Sequence, residues 1–177
     1  MATPGGTSDP DVADRYGAIE ALLRTTPQEF EFFQAVRLME RVLPNRAPVG
    51  RFVSPGREVV RFAAHASFPF PASQIQRIEW PVAGATQAPR VVINFMGLAG
   101  PSGVLPLYYT EMIVERLRPK DRAMLAFQAI FHHRMFSLVY QAREKYSFAS
   151  ASERGDGDRF ATHLLSMIGR RPQDWTN

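Results

Sequence analysis

Between Val91 and Glu111 the chain reads Val-Val-Ile-Asn-Phe-Met-Gly-Leu-Ala-Gly-Pro-Ser-Gly-Val-Leu-Pro-Leu-Tyr-Tyr-Thr-Glu. The β-branched run at its start predicts a buried strand, the Gly/Pro cluster a tight connection, and the apolar residues after Pro106 a helix. Strand, loop and helix in this order form the framework of phosphate-binding loops and nucleophile elbows, so the segment is tested against both. A phosphate-binding loop needs Lys followed by Ser or Thr after its last glycine, whereas Gly103 is followed by Val104 and Leu105. A nucleophile elbow reads Gly-x-Ser-x-Gly, whereas Val104 stands two residues after Ser102. Gly97, Gly100, Pro101, Gly103 and Pro106 therefore read as a conformational element. The glycines admit positive φ or close approach of a neighbouring chain, and the prolines stiffen the exits by fixing φ.

Upstream, Thr26-Pro27-Gln28-Glu29 has the form of a capping box with proline at the first helical position, which predicts a helix from there to about Leu43, stopped by Pro44. Phe32, Val36, Met39 and Leu43 recur along it at helical spacing, with Phe30 and Phe33 widening the apolar face. Such a stripe serves a core; its width also suits a second contact surface, which makes Phe32 and Met39 candidates for partner contact. A weaker amphipathic helix is expected around Ala13 to Leu23, within a flexible lead-in of residues 1–25. Val49 to Val53, Glu58 to Ala63, Gln74 to Trp80 and Arg90 to Phe95 are short, β-branched or alternating, and separated by Pro and Gly, which predicts a small sheet. Pro69 and Pro71 confine Ser67 to Ala72 to an extended edge or a loop.

Leu105 to Leu117 reads as a second helix, with Tyr109, Ile113 and Leu117 in line and Pro119 ending it. Asp121 then caps a third, predicted to reach Tyr146 and to be about 39 Å long at roughly 1.5 Å per residue. Along it Met124, Phe127, Phe131, Met135, Leu138 and Ala142 fall three or four apart, the spacing of a seam against another helix. Phe127, Phe131, Met135 and Leu138 are accordingly candidate partner-binding residues. Leu125, Ile130, Phe136, Val139 and Tyr140 predict burial on more than one side, and a helix enclosed in its own domain's core is the competing reading. The expected class is α+β, a small mixed or antiparallel sheet flanked by long amphipathic helices over residues 26–148, followed in 149–177 by a polar linker and a short helix from Phe160 to Ile168.

Candidate chemistry is sparse. His132, His133 and His163 suggest metal binding, but adjacent helical residues point about 100° apart and no His-Glu-x-x-His pattern or carboxylate set completes a site, so the histidines are expected on a helix surface. Ser102, His132 and Asp121 can be written down as a triad, as a trio can in any chain of this size. Glu111 and Glu115 read as the solvated face of the second helix near Arg118. Asn94 is expected to satisfy loop backbone groups, and Ser102 to hydrogen-bond within its turn. Zero cysteines exclude disulfides and thiolate metal sites. The net charge of +4 is mixed rather than blocked, with Arg170-Arg171 the longest basic run, which argues against nucleic-acid binding. No apolar run approaches membrane-spanning length, and the N-terminus lacks the pattern of a secretory signal. No cofactor is expected.

Several landmarks occur in order: Phe30 to Leu38 (Phe-Glu-Phe-Phe-Gln-Ala-Val-Arg-Leu), Pro48 to Arg51, Phe70 to Ser73, Asn94 to Leu98, Gly100 to Pro106, Tyr109 to Glu111, and Glu144 to Tyr146. Together they resemble the TssG family, a baseplate subunit of the bacterial type VI secretion system. The resemblance implies a structural, non-enzymatic role in a wedge with the subunits TssF, in two copies, TssK and TssE, on which the contractile sheath assembles. It implies a cytoplasmic location at the inner-membrane-docked baseplate, without direct membrane insertion. It also implies that the chain corresponds to the N-terminal part of longer family members. The alternatives from other classes are a hydrolase using Ser102 and a basic nucleic-acid-binding domain.

Overall fold

A computed structural model of the chain describes residues 10–51, 53, 54, 56–82, 85–101, 103–147 and 166–169. Two compact units divide it, Met1–Ser137 and Leu138–Asn177. The first contains α1 (Pro10–Thr25), one 3-10 turn (Pro27–Glu29), α2 (Phe32–Val42), β1 (Arg61–Ala64), β2 (Ile75–Glu79), β3 (Arg90–Ile93), α3 (Leu107–Leu117) and the larger part of α4 (Ala123–Tyr146). The three strands make a mixed sheet in the order β1-β3-β2, with β1 parallel and β2 antiparallel to the central β3. This is the α+β class that the sequence predicts.

The capping box does not form. Thr26 makes no side-chain cap; Pro27–Glu29 closes a single 3-10 turn, and Phe30 leaves it in an extended conformation. The helix restarts at Phe32, whose N–H donates to Gln74 Oε1 at 2.8 Å from 42 residues away. A tertiary contact thus supplies the cap that Thr26 was expected to give, and it ties the start of α2 to the approach to β2. The expected strand at Val49 to Val53 is also absent among its described residues. Val49 N–H donates to Glu40 Oε1 (3.0 Å), and Gly50 takes φ +76°, so the chain turns under the end of α2. Val59 pairs with Ala47 rather than with the sheet, and β1 begins only at Arg61.

Asn94 behaves as expected. Its amide donates to Ser73 O (3.1 Å) and to Gln76 Oε1 (2.9 Å), holding the irregularity in β2 between Ile75 and Arg77. Asp121 caps α4, with its carboxylate accepting the Ala123 N–H at 2.9 Å. Ser67 to Pro71 lies outside the sheet, with Phe68 and Phe70 exposed.

The core of the first unit is a cluster of aromatic rings. Phe32 from α2 lies 5.4 Å from Phe62 of β1, 5.3 Å from Phe95 just past β3 and 6.3 Å from Phe136 of α4; Phe136 in turn lies 6.0 Å from Phe62 and 6.2 Å from Phe95. Tilted and edge-on rings at these separations gain electrostatic attraction beyond their area. Val36 and Met39 of α2 and Ile75, Val91 and Ile93 of the sheet are also buried. Phe32 and Met39 are fully enclosed here, so the α2 stripe serves the chain's own core and offers neither residue to a partner.

In the second unit the described residues are the end of α4, where Lys145 Nζ sits 5.7 Å from the Tyr146 ring centroid, and residues 166–169, ending at Gly169 with φ +77°. The linker and most of the expected helix from Phe160 to Ile168 lie outside the described residues, as do His163 and the first nine residues.

Phe136→Ala is expected to destabilise the chain by about 3–5 kcal/mol, the usual cost of emptying a phenylalanine site in a core. Phe131→Ala, one helical face away, should change stability by no more than about 0.5 kcal/mol. Urea titrations of both variants measure the contrast.

Candidate functional site

Helix α4 is built with its polarity reversed. The residues it buries within the first unit are Gln128, His132, His133, Phe136 and Ser137, four of the five polar. Those it exposes include Phe127 at 57%, Ile130 at 66% and Phe131 at 50%. Leu138, in the second unit, is 46% exposed, and Met135 is half-buried. The seam expected from spacing therefore faces outward at Phe127 and Phe131, whose rings meet edge to face at 5.2 Å. The histidines, expected on the surface, are inside.

Their burial has a reason. In the parallel pairing of β1 with β3, Arg61 and His65 direct their N–H groups to β3, so the N–H of Phe62 points to the open edge of the sheet. His133 Nδ1 accepts it at 3.3 Å. That leaves the His133 proton on Nε2, which lies 3.3 Å from Glu58 Oε2 without being aligned as a hydrogen bond. His132 Nε2 accepts the N–H of Leu98 at 2.9 Å. Burial pushes both imidazoles below their ordinary pKa, with Arg61 and Arg134 adding to the effect at His133. Burial likewise pushes the Glu58 carboxyl up, opposed by the Gly50 N–H and Arg134 and reinforced by Glu40.

The loop that His132 holds is the glycine-rich connection. Gly97 and Gly103 bridge to one another, Leu105 N–H donates to Leu98 O (2.9 Å), and Gly103 N–H donates to Gly100 O (3.0 Å). Gly100 takes φ +108° and its N–H donates to Thr110 Oγ1 of α3 at 3.0 Å. At Gly103 a side chain would meet the Leu98 carbonyl at 2.7 Å, and at Gly97 it would meet the Ala64 methyl at 2.9 Å. Pro106 forms the N-cap of α3, while Pro101 sits partly buried in the turn. Sequence reasoning found the glycines and missed their holders, Thr110 and His132. The available signal was two polar residues placed among apolar ones on the helices flanking the loop.

The arrangement leaves little for the other readings. Ser102 lies outside the described residues. The groups a triad would draw on are engaged elsewhere: His132 Nε2 with Leu98, and Asp121 with Ala123 N–H and, at 3.5 Å, Arg116. Among the described residues no group of three His, Asp or Glu is placed to hold a metal ion. A cleft lined by Asn45, Arg46, Arg57 and Thr86 looks basic, but the Arg46 guanidinium already donates to the carbonyls of Gly56, Glu58, Thr86 and Gln87. It is a clip between two loops.

Fold and site together define an α+β domain whose buried polar side chains hold its own backbone and whose longest helix turns aromatic rings outward. The family model for type VI secretion, TssG, matches residues 26–177, and the chain belongs to that family. Membership supports a role in the type VI secretion baseplate. No match was found among curated proteins or among solved structures. Among the described residues no helix is long and apolar enough to cross a membrane.

Gly100→Ala places a Cβ in the left-handed region and should destabilise by about 1–2 kcal/mol. Thr110→Val removes the acceptor of a buried N–H and should cost about 1–3 kcal/mol. Because both act on the same hydrogen bond, the double variant should fall short of the sum, which denaturant titration of the four proteins measures.

Proposed function

We propose that the chain is a structural subunit of the baseplate wedge, joined by protein-protein contact to TssF, in two copies, and to TssK and TssE, and that it works without catalysis. The observation that carries this reading is the reversed polarity of α4. An isolated domain gains by burying phenylalanine, at about 1.5–3 kcal/mol per side chain, yet α4 buries histidine, glutamine and serine while Phe127, Ile130 and Phe131 stay exposed. Such a face is stabilised when another subunit covers it. Phe127, Phe131, Met135 and Leu138 are the residues proposed for that contact, and TssF is the proposed occupant. The wedge would stand on the cytoplasmic side of the inner membrane, docked there through its neighbours. Gly97, Gly100, Pro101, Gly103 and Pro106 serve as a structural connection, its backbone bonded to Thr110 of α3 and His132 of α4.

Co-expression with TssF from the same source, followed by size-exclusion chromatography, tests the reading. A shared peak supports it, and separate elution of two folded proteins overturns it. Phe131→Asp should weaken the complex at least a hundredfold, about 2.7 kcal/mol, because a carboxylate would have to be desolvated in the contact. The variant's own melting temperature should hardly move. Ser102→Ala should leave secretion intact, and loss of secretion with assembly preserved would favour a hydrolase instead.

A further inference from the structure

The inner side of α4 carries a second device. His132 is 2% exposed, yet its Nε2 accepts a backbone N–H, that of Leu98, at 2.9 Å. An imidazole accepts a hydrogen bond only through an unprotonated nitrogen. Protonation turns that nitrogen into a donor facing another donor, so the bond is lost and a charge is left in a buried site.

Among the described residues no acid is placed to compensate such a charge. From α4 itself the ring faces Phe136, at 6.0 Å between centroids. From the loop it faces Leu98 and Gly97, where an added Cβ would lie 3.8 Å from Nε2. The charged groups nearby, Glu58, Arg61 and Arg134, act on the adjacent His133, where Glu58 Oε2 at 3.3 Å offers a counter-ion to a protonated ring. The two histidines differ in this respect. His133 has an acid beside it, and among the described residues His132 has none.

We propose that His132 is a proton-sensitive latch that clamps the Gly97–Gly103 loop to α4 as the neutral imidazole and lets it go on protonation. The other clamp on the loop, Thr110 Oγ1 with the Gly100 N–H, does not titrate. Acid therefore frees the Leu98 side of the loop while α3 keeps its hold at Gly100. The sign follows from linkage. Burial lowers the folded-state pKa of His132 below its ordinary 6.5, so the open form binds the proton more tightly. The clamp is at full strength above that ordinary value and weakens, by at most about tenfold per pH unit, as pH falls from there towards the lowered pKa, where the slope levels off.

Amide hydrogen exchange of the full chain between pH 7.5 and 5.0, corrected for the intrinsic rate, reads the opening at Leu98. Its protection should hold steady well above pH 6.5 and fall as pH drops below it, with a slope of at most about tenfold per pH unit. His132→Gln offers an acceptor that does not titrate, and its Leu98 slope should be smaller than that of the wild type, by at most one proton. Equal slopes in the two proteins would overturn the latch. Should His132→Gln fail to fold, the imidazole resonances of the wild type decide. A His132 midpoint coinciding with the levelling of the Leu98 profile upholds the proposal, and an imidazole that titrates while Leu98 protection stays constant refutes it.

Discussion

Neighbouring residues on a helix point about 100° apart, and at His132 and His133 that divergence lets a single turn of α4 accept backbone N–H groups from two separate segments. One comes from the open edge of β1, the other from the glycine loop after β3. A three-stranded sheet with a parallel edge strand has few ways to satisfy that edge, and an unpaired strand edge recruits other chains. His133 occupies the place a fourth strand would take. The same turn of helix thereby fixes the sheet, the loop and its own rotation about its axis.

That rotation decides what α4 shows to the outside. With the histidines turned inward, Phe136 follows one turn later and closes the cluster of Phe32, Phe62 and Phe95. Phe127, Ile130 and Phe131 are then carried to the opposite side. A helix rotated to bury those three would bury more apolar area, but it would leave the N–H groups of Phe62 and Leu98 without their acceptors, at about 1–3 kcal/mol each. Under the proposed role the balance favours the observed orientation, because apolar area left outside would be recovered at an interface while an orphaned N–H in the core would not.

The fold was legible where local chemistry decides it. Asp121 announced the start of α4, Asn94 the bonding around β2, and the β-branched run from Val91 the central strand. It was illegible where a distant residue intervenes. Thr26 to Glu29 has the right letters for a cap, yet Gln74, 42 residues on, takes over the function at Phe32. On α4 periodicity located apolar residues on several sides and gave no means of telling inside from outside, since it weighs phenylalanine as a core residue and histidine as a surface one. The edge of β1 inverts that weighting. Only the pairing of β1 with β3 shows that an acceptor is required there, and that pairing joins residues about thirty positions apart.

The glycine loop shows why a segment shaped like a phosphate site need not be one. A cradle for phosphate depends on consecutive backbone N–H groups left free to point at the ligand. Here the N–H of Leu98 is held by His132, that of Gly100 by Thr110, that of Gly103 by the Gly100 carbonyl and that of Leu105 by the Leu98 carbonyl. The glycines are needed for a different purpose. Gly103 lets the loop close against Leu98, and Gly100 takes the positive φ that aims its N–H at α3. These four donors are spent within the protein, one on α4, one on α3 and two on the loop itself. A loop so bound joins α3 and α4 through its backbone, at Gly100 and Leu98.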